Sequence, residues 1–144
     1  MIDHAGIAEL IPHTGAMCLL DSISHWDGSS ITGHAGSHHD PANPMRVRGR
    51  LDILCGVEYA AQVIAVHGGL LAGGAAPRVG YLASLRDLAC HADQLDERPG
   101  ALVIRARRLL AESGRAIYMF EIEAEGRQML QGRAALVLDG GEPR

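Results

Sequence analysis

One carboxylate stands inside the longest apolar stretch of the chain, where its residue type suggests chemistry. Glu58 lies between Val57 and Tyr59, and removing a charged carboxylate from water costs free energy unless the group is paired or protonated. If apolar surroundings keep it protonated, it could act as a general acid near neutral pH. If an arginine or backbone groups satisfy it, its role is structural. The helix alone does not decide between these two interpretations.

Further polar groups lie close to this carboxylate in the sequence. Gln62 follows by one helical turn on the same face, near enough to hydrogen-bond the carboxylate or to order a water, or it could simply touch solvent in a cleft. The backbone N–H groups near Ile53 and Leu54 begin the helix and lack intrahelical acceptors. They could therefore hold a developing oxyanion.

Four of the histidines that precede the helix are candidates for a catalytic base: His13, His34, His38 and His39. Imidazole is the usual general base near neutral pH, provided that the fold brings it close. The last three could also bind a metal, but no carboxylate or cysteine completes a recognisable ligand pattern. We therefore expect solvated loop histidines and no metal.

A long helix must carry the carboxylate and the carboxamide. The segment 54–71 is rich in alanine and in other apolar residues, which favours a helix that is apolar nearly all round and therefore buried. Asp52 is the expected N-cap, and Gly68-Gly69 are the expected termination signal.

Turn signals divide the rest of the chain into short elements. We predict a helix from Asp3 to Leu10, a hairpin of segments 16–24 and 29–35, and an irregular loop over 36–50. Four strands are predicted to follow as a sequential antiparallel meander. They are 79–92, 101–112, 115–125 and 127–139.

This order of elements predicts an α+β fold in which one antiparallel sheet wraps around a single long central helix. Such a sheet leaves exposed edge strands, and pairing of edges between two copies would cover them. We therefore expect a homodimer. Residues 140–144 are expected to form a loose tail.

Composition narrows the classes of function. The 144 residues carry 13 Lys and Arg against 17 Asp and Glu, a net charge of −4, and aromatic residues make up only 3%. Scattered arginines and few aromatics predict no nucleic-acid partner. The chain lacks a Walker loop, a Gly-x-Ser-x-Gly elbow and a Cys-x-x-Cys pair, so we expect no nucleotide chemistry and no cofactor.

The cysteines and the apolar segments bear on the compartment. Cys18, Cys55 and Cys90 are odd in number, lie far apart and sit in apolar runs, so we predict reduced core residues in a cytoplasmic protein. No segment reads as a signal peptide, and no run reaches about 18 apolar residues. We expect no membrane span.

Two segments, IPHTGAMCLLDSI and GVEYAAQVIAVHGG, resemble the hotdog-fold 3-hydroxyacyl-acyl carrier protein dehydratases of the aryl polyene type. Their distant housekeeping relatives open with Leu-Pro-His and an apolar run ending in Asp, as residues 11–21 do here. Those relatives also carry a Glu-Ala-Met-Ala-Gln helix, which EYAAQ at 58–62 resembles. Arg86 and Pro99-Gly100 match a downstream pair of strands in which an Arg precedes a Pro-Gly-Asp turn.

The resemblance implies one hotdog domain over residues 1–144 and an enzyme of fatty-acid or polyketide-type synthesis that converts a 3-hydroxyacyl thioester to the 2-enoyl thioester. In the housekeeping enzymes a loop histidine removes the C2 proton, the helix Glu protonates the departing hydroxyl and a helix-start N–H polarises the thioester carbonyl. Glu58 matches the acid, and the N–H of Ile53 falls at the carbonyl-binding position. Asn43 or Pro44 stands where the histidine would be.

That replacement leaves three interpretations open, because an amide cannot act as a general base, although it can orient a water or bind a carbonyl. In the first, His38, His39 or His13 supplies the base from a rearranged loop. In the second, the protein is a thioesterase whose water is ordered by Glu58. In the third, it is a noncatalytic subunit that binds acyl carrier protein.

The resemblance also implies partners. The substrate would be a thioester of acyl carrier protein or coenzyme A, with its acyl chain in a tunnel along the helix. Arg46, Arg48 and Arg50 could attract the acidic carrier or a phosphate, or they could be solvated loop residues. A different hotdog chain could replace one copy in the dimer.

Overall fold

An antiparallel sheet packs against one long helix in the computed structural model, which describes residues 1–11, 15–73 and 79–139. This is the predicted α+β architecture, a hotdog fold. The described part contains two α-helices, α1 (His4–Ala8) and α2 (Gly56–Leu71), and seven strands. The strands are β1 (Ile2–Asp3), β2 (Ser22–Trp26), β3 (Ser30–Ala35), β4 (Val79–Cys90), β5 (Leu102–Glu112), β6 (Arg115–Ala124) and β7 (Arg127–Asp139).

The strand order is β1-β2-β3-β5-β6-β7-β4, and all pairs are antiparallel. The predicted meander of four sequential strands is therefore correct for β5, β6 and β7 but wrong for β4. That strand pairs with β7 at the edge of the sheet, and β5 pairs with β3 instead. Turn signals report only local chain reversals, whereas the partner of β4 is selected by long-range packing.

Strand β5 shows how the sheet buries one face. Leu102, Ile104 and Ala106 point into the core, while Arg105 and Arg107, at alternate positions, are exposed. This alternation follows from the two-residue period of a strand. The buried side chains of β5, β6 and β7 meet α2 and form the core with the segment that precedes β2.

Helix α2 lies within the predicted segment 54–71 and ends at its last residue. A 3₁₀ turn over Ile53–Cys55 leads into it, and the Asp52 carboxylate accepts from the Leu54 N–H at 2.9 Å. Gly68-Gly69 lie within the helix, which continues to Leu71, so the predicted termination there is wrong. The helix is also not buried all round.

The short elements follow the expectations with shifted ends. Asp3 caps α1 by accepting from the Gly6 N–H at 2.9 Å, but this helix ends at Ala8 rather than Leu10. The hairpin of β2 and β3 turns at Asp27, whose carboxylate accepts from two backbone N–H groups. Those hydrogen bonds lower the pKa of Asp27 to about 2. The loop over 36–50 is irregular except for a 3₁₀ turn at Ser37–His39 and an isolated bridge between Val47 and Arg50.

The cysteines and the apolar helix bear on the remaining expectations. All three cysteines are free thiols, but only Cys18 is buried and Cys90 is exposed on β4, so the prediction of three core cysteines is wrong.

The stretch Ile53–Leu71 has a mean hydropathy of 1.4 and passes a length-and-composition test for a membrane span. Core helices pass the same test, and 56% of this stretch is buried inside the fold. The predicted loose tail, residues 140–144, lies outside the described residues.

Candidate functional site

Glu58 lies half-buried in the first turn of α2 and lines a groove of about 480 Å³. The helix contributes mainly small or apolar side chains to one wall. The opposite wall comes from the hairpin of β5 and β6, from β7 and from the edge strand β4. Residues of the groove that bear on its shape are Val57, Ala61, Ala65, Gly68, Leu82, Ala111 and Leu136. The charged side chains that line it are Glu58 on the helix wall and Arg108, Glu112 and Arg115 on the opposite wall, so the groove can hold an apolar chain beside the Glu58 carboxylate.

Gln62 holds this carboxylate from one turn away. Its Nε2 donates to Glu58 Oε2 at 3.1 Å and to the Met17 carbonyl at 2.7 Å, while its Oε1 accepts from the Leu19 N–H at 3.0 Å. The orientation of the amide is unambiguous, because a carbonyl requires a donor and an N–H requires an acceptor. Gln62 is fully buried. The expected proximity of the pair is confirmed, and the alternative of a glutamine that touches solvent is wrong.

Asn43 is also buried, but its amide serves the fold. Its Nδ2 donates to the Ser37 carbonyl at 2.9 Å and to Tyr59 Oη at 3.0 Å, and its Oδ1 accepts from the Met45 N–H at 2.9 Å. Both amide hydrogens are thus in use, so the prediction that Asn43 binds a thioester carbonyl is not supported by this geometry. Tyr59 continues the network to Ser37 Oγ, which donates to the Leu19 carbonyl. Burial raises the pKa of Tyr59.

The backbone donors at the start of the helix are not free either. The Ile53 N–H donates to the Asp93 carbonyl at 3.0 Å, and the Leu54 N–H donates to the Asp52 carboxylate. The prediction of unpaired N–H groups at these positions is therefore wrong. The physical reason is tertiary, because residues 51–53 pair with the chain near Gln94, and no local pattern predicts that contact.

The three candidate histidines that the structure describes, His34, His38 and His39, do not line the groove. His38 and His39 each hydrogen-bond the Gly100 carbonyl through Nε2, at 3.0 and 3.1 Å. His38 is fully buried, and burial lowers its pKa to about 4, while His39 is exposed. His34 bonds Ser24, and His13 lies outside the described residues. The described residues that line the groove include no histidine.

The loop arginines divide into one structural residue and two exposed ones. Arg46 forms an ion pair with Asp96 at 2.9 Å and donates to three backbone carbonyls. It therefore holds the loop together, and the prediction that it attracts a carrier is not supported. Arg48 and Arg50 are exposed.

A second polar cluster borders the groove further along α2, and the sequence interpretation assigned it no role. His67 is buried and bonded through Nδ1 to the Tyr118 hydroxyl and through Nε2 to the Asp27 carbonyl. Since the carbonyl can only accept, Nε2 carries the proton and Nδ1 accepts from Tyr118. Arg108 lies beside this pair. The two-residue alternation of β5 was the available signal, because it continues from Ala106 to Arg108.

A family model for the ApeP dehydratase matches residues 5–138. The chain belongs to the ApeP-like dehydratase family. An ApeP-like chain is therefore a dehydratase-type enzyme, in agreement with the resemblance, and Glu58 and its groove lie inside the matched region.

Solved structures share the fold of this ApeP-like chain. The dehydratase heterocomplex ApeI:P from Xenorhabdus doucetiae has 21% identity and a TM-score of 0.81, with 96% of this chain and 91% of that chain covered. The thioesterase HI1161 from Haemophilus influenzae has 15% identity and a TM-score of 0.60, with coverage of 84% and 78%. A mutant thioesterase PA1618 from Pseudomonas aeruginosa has 13% identity and a TM-score of 0.59, with coverage of 83% and 80%. A comparison with curated protein sequences found no match.

Proposed function

We propose that the chain dehydrates 3-hydroxyacyl thioesters of acyl carrier protein or coenzyme A to 2-enoyl thioesters. In this reaction a base removes a proton from C2, the C3–O bond breaks, and the departing hydroxyl takes a proton to leave as water. Glu58 is the proposed donor of that proton. The observation that carries the proposal is the Glu58 carboxylate, held by Gln62 at the helix wall of a largely apolar groove.

Gln62 supports this role because it orients Glu58 but does not itself line the groove. Its other two hydrogen bonds go to backbone atoms of Met17 and Leu19, so the amide cannot turn away without losing buried partners. A general acid is effective when it is held in hydrogen-bonding reach of the reacting atom. Gln62 is thus a positioning residue in the proposal.

The base is proposed to come from a second hotdog chain paired at the edge strand β4. Leu82, Leu85 and Leu88 on this strand are exposed hydrophobic residues, and an unpaired edge of this kind favours pairing with another strand. The partner could be a second copy or a different hotdog chain, and the ApeI:P structure is a heterocomplex. His39, which is exposed, and His13 are this chain's own candidates for a base in the partner's groove.

The compartment, the pathway and the surface that meets the carrier are also part of the proposal. We propose a cytoplasmic enzyme of fatty-acid or polyketide-type synthesis, consistent with three free thiols. Arg48 and Arg50 are exposed on the loop before α2, where they could meet an acidic carrier.

The test follows two products separately. The protein, alone and co-expressed with a second hotdog chain, is incubated with 3-hydroxyacyl and acyl thioesters while enoyl formation and free thiol are measured. Glu58→Gln is expected to lower the rate of enoyl formation by about 100- to 10,000-fold, the contribution typical of a general acid. Glu9→Gln, which changes an exposed glutamate on the surface, is the matched control.

Each outcome separates the interpretations. Enoyl product that requires Glu58 supports the dehydratase. Free thiol without enoyl product would show a thioesterase, the activity named for two of the similar structures. Neither product, with retained binding of the carrier, would show an accessory subunit. Unchanged enoyl formation in Glu58→Gln would overturn the assignment of the acid.

A further inference from the structure

The groove has a second polar end, formed around Arg108 on β5. This half-buried side chain lines the groove, and its Nη2 donates to the Gly28 carbonyl at 3.1 Å. Arg107, its neighbour in sequence, lies on the opposite, exposed face of the sheet. Arg108 therefore directs a cation toward α2, where the strand positions before it bury apolar residues.

This end lies far from Glu58. Arg108 is the cross-strand partner of Tyr118, which bonds His67 on α2. His67 follows Glu58 by nine residues, and a helical rise of about 1.5 Å per residue places them about 14 Å apart along the helix. One groove thus runs from the Glu58 carboxylate at one end to the Arg108 guanidinium at the other, and Glu112 and Arg115 of the β5–β6 hairpin also line it.

The guanidinium has hydrogen-bonding capacity left over. A guanidinium carries five N–H donors, and the Gly28 carbonyl accepts from one of its nitrogens. Within residues 1–11, 15–73 and 79–139, no carboxylate forms an ion pair with Arg108. The neighbours whose titration it affects, His67 and Tyr118, are neutral, since burial lowers the pKa of His67 and raises that of Tyr118 to about 12.

Beside a cation at the end of a largely apolar groove, a methyl group is unfavourable and an anion is favourable. A methyl-ended acyl chain would displace water from the guanidinium without replacing its hydrogen bonds, which costs free energy. A carboxylate would accept two parallel hydrogen bonds from the same group. The small side chains of Ala61, Ala65 and Gly68 leave room for the chain in between.

We infer that Arg108 selects acyl chains whose far end carries a hydrogen-bond acceptor, with a terminal carboxylate as the strongest case. This inference rests on the proposed function, because it takes Glu58 as the end at which the thioester reacts. It adds the chemical class of the far end of the substrate. Arg108 is a specificity-determining residue in this assignment and takes no part in proton transfer.

The test measures binding rather than turnover. Two stable pantetheine amides of equal chain length, one ending in a methyl group and one in a carboxylate, are titrated by calorimetry into the protein as it is purified, with its partner chain where it has one. Wild type is expected to bind the carboxylate-ended amide about tenfold more tightly, since a charge-assisted hydrogen bond contributes about that much. Arg108→Met should lose this preference, and Arg108→Lys should keep part of it.

Arg107→Met is the matched control, because it makes the same change on the other face of the sheet and should keep the wild-type ratio. Equal affinities in wild type, or a ratio unchanged in Arg108→Met, would overturn the inference. If Arg108→Met folds poorly after losing its bond to Gly28, the wild-type ratio still tests the carboxylate preference, and Arg108→Lys tests its assignment to Arg108 rather than to Arg115, which also lines the groove. A carboxylate preference without enoyl formation would remove the dehydratase and leave the inference, whereas enoyl formation without a preference would do the reverse.

Discussion

Helix α2 presents two flanks that differ in how they treat polar groups. The loop flank, formed by Tyr59 and Gln62, is buried, and its polar atoms bond to the chain that covers it. The groove flank, formed by Glu58, Ala61, Ala65 and Gly68, is half-exposed and borders an open cavity. The helix is thus fixed from its loop flank, and its groove flank remains open to a ligand.

The largest expected effect comes from breaking the loop flank at Gln62. Gln62→Leu leaves the buried Leu19 N–H and Met17 carbonyl without their side-chain partner, which should lower the free energy of unfolding by about 3 kcal/mol. It also removes the hydrogen bond that orients Glu58, so kcat should fall more than KM changes. Urea unfolding and steady-state kinetics measure the two effects.

Gln128→Leu is the matched control for this prediction. Gln128 also donates to a glutamate, Glu121, at 3.1 Å, but the pair lies on the sheet and is only part-buried. Its loss should change stability by less than about 1 kcal/mol. Equal losses in the two variants would contradict the difference between the buried flank and the surface.

A pH titration tests how the loop over 36–50, which covers the loop flank of α2, is held in place. Burial, and next the nearby charge of His39, lower the pKa of His38 to about 4, while Asp96 and Asp21 act in the opposite direction. The unfolded chain therefore binds more protons between pH 6.5 and 4, and stability should fall as pH drops through that window. The loss attributable to His38 is on the order of 3 kcal/mol.

His38→Gln isolates this contribution, since an amide can still donate to the Gly100 carbonyl and does not titrate. Urea unfolding at pH 7, 5.5 and 4.5 should show a shallower decline in the variant. His67 also has a lowered pKa, but it is present in both proteins and cancels in the difference. Parallel declines would show that His38 is not held neutral.

The smallest effect should come from filling the groove flank. A Cβ at Gly68 would meet no atom within 4 Å, so Gly68→Ala should stabilise the helix by up to about 1 kcal/mol. A Cβ at Gly56, on the sheet side, would approach Leu130 and Ile122 at 2.8 and 3.0 Å. Gly56→Ala should instead destabilise by about 1 kcal/mol. Thermal unfolding compares the two, and the same sign for both would contradict an open groove beside Gly68.

Local patterns predicted what depends on local physics. The Asp52 cap, the long helix and the proximity of Gln62 to Glu58 follow from spacing along a helix, and all three are present. The orientation of Arg108 follows from the same kind of local rule, because the alternation along β5 places it on the side of Ala106. The family resemblance of the segments around Glu58 agreed with the family match.

Contacts between distant segments could not be predicted. Nothing near Asn43 indicates that its amide is used by Ser37 and Tyr59, and nothing near Ile53 indicates that its N–H reaches Asp93. The sequence predicts a solvated His38, whereas in the fold its side chain is buried and bonded to the Gly100 carbonyl. Each of these errors assigned free hydrogen-bonding capacity to a group that tertiary structure had already satisfied.

The separate attachment of Gln62 has a consequence for divergence and redesign. Because the amide is tied to the backbone at Met17 and Leu19, side chains at 61, 65 and 68 can be exchanged without altering the hold on the carboxylate. Changes of size at these positions would reshape the cavity in steps of one helical turn. Substitutions on the groove flank would therefore change the chain length that the groove accepts, while Glu58 keeps its position.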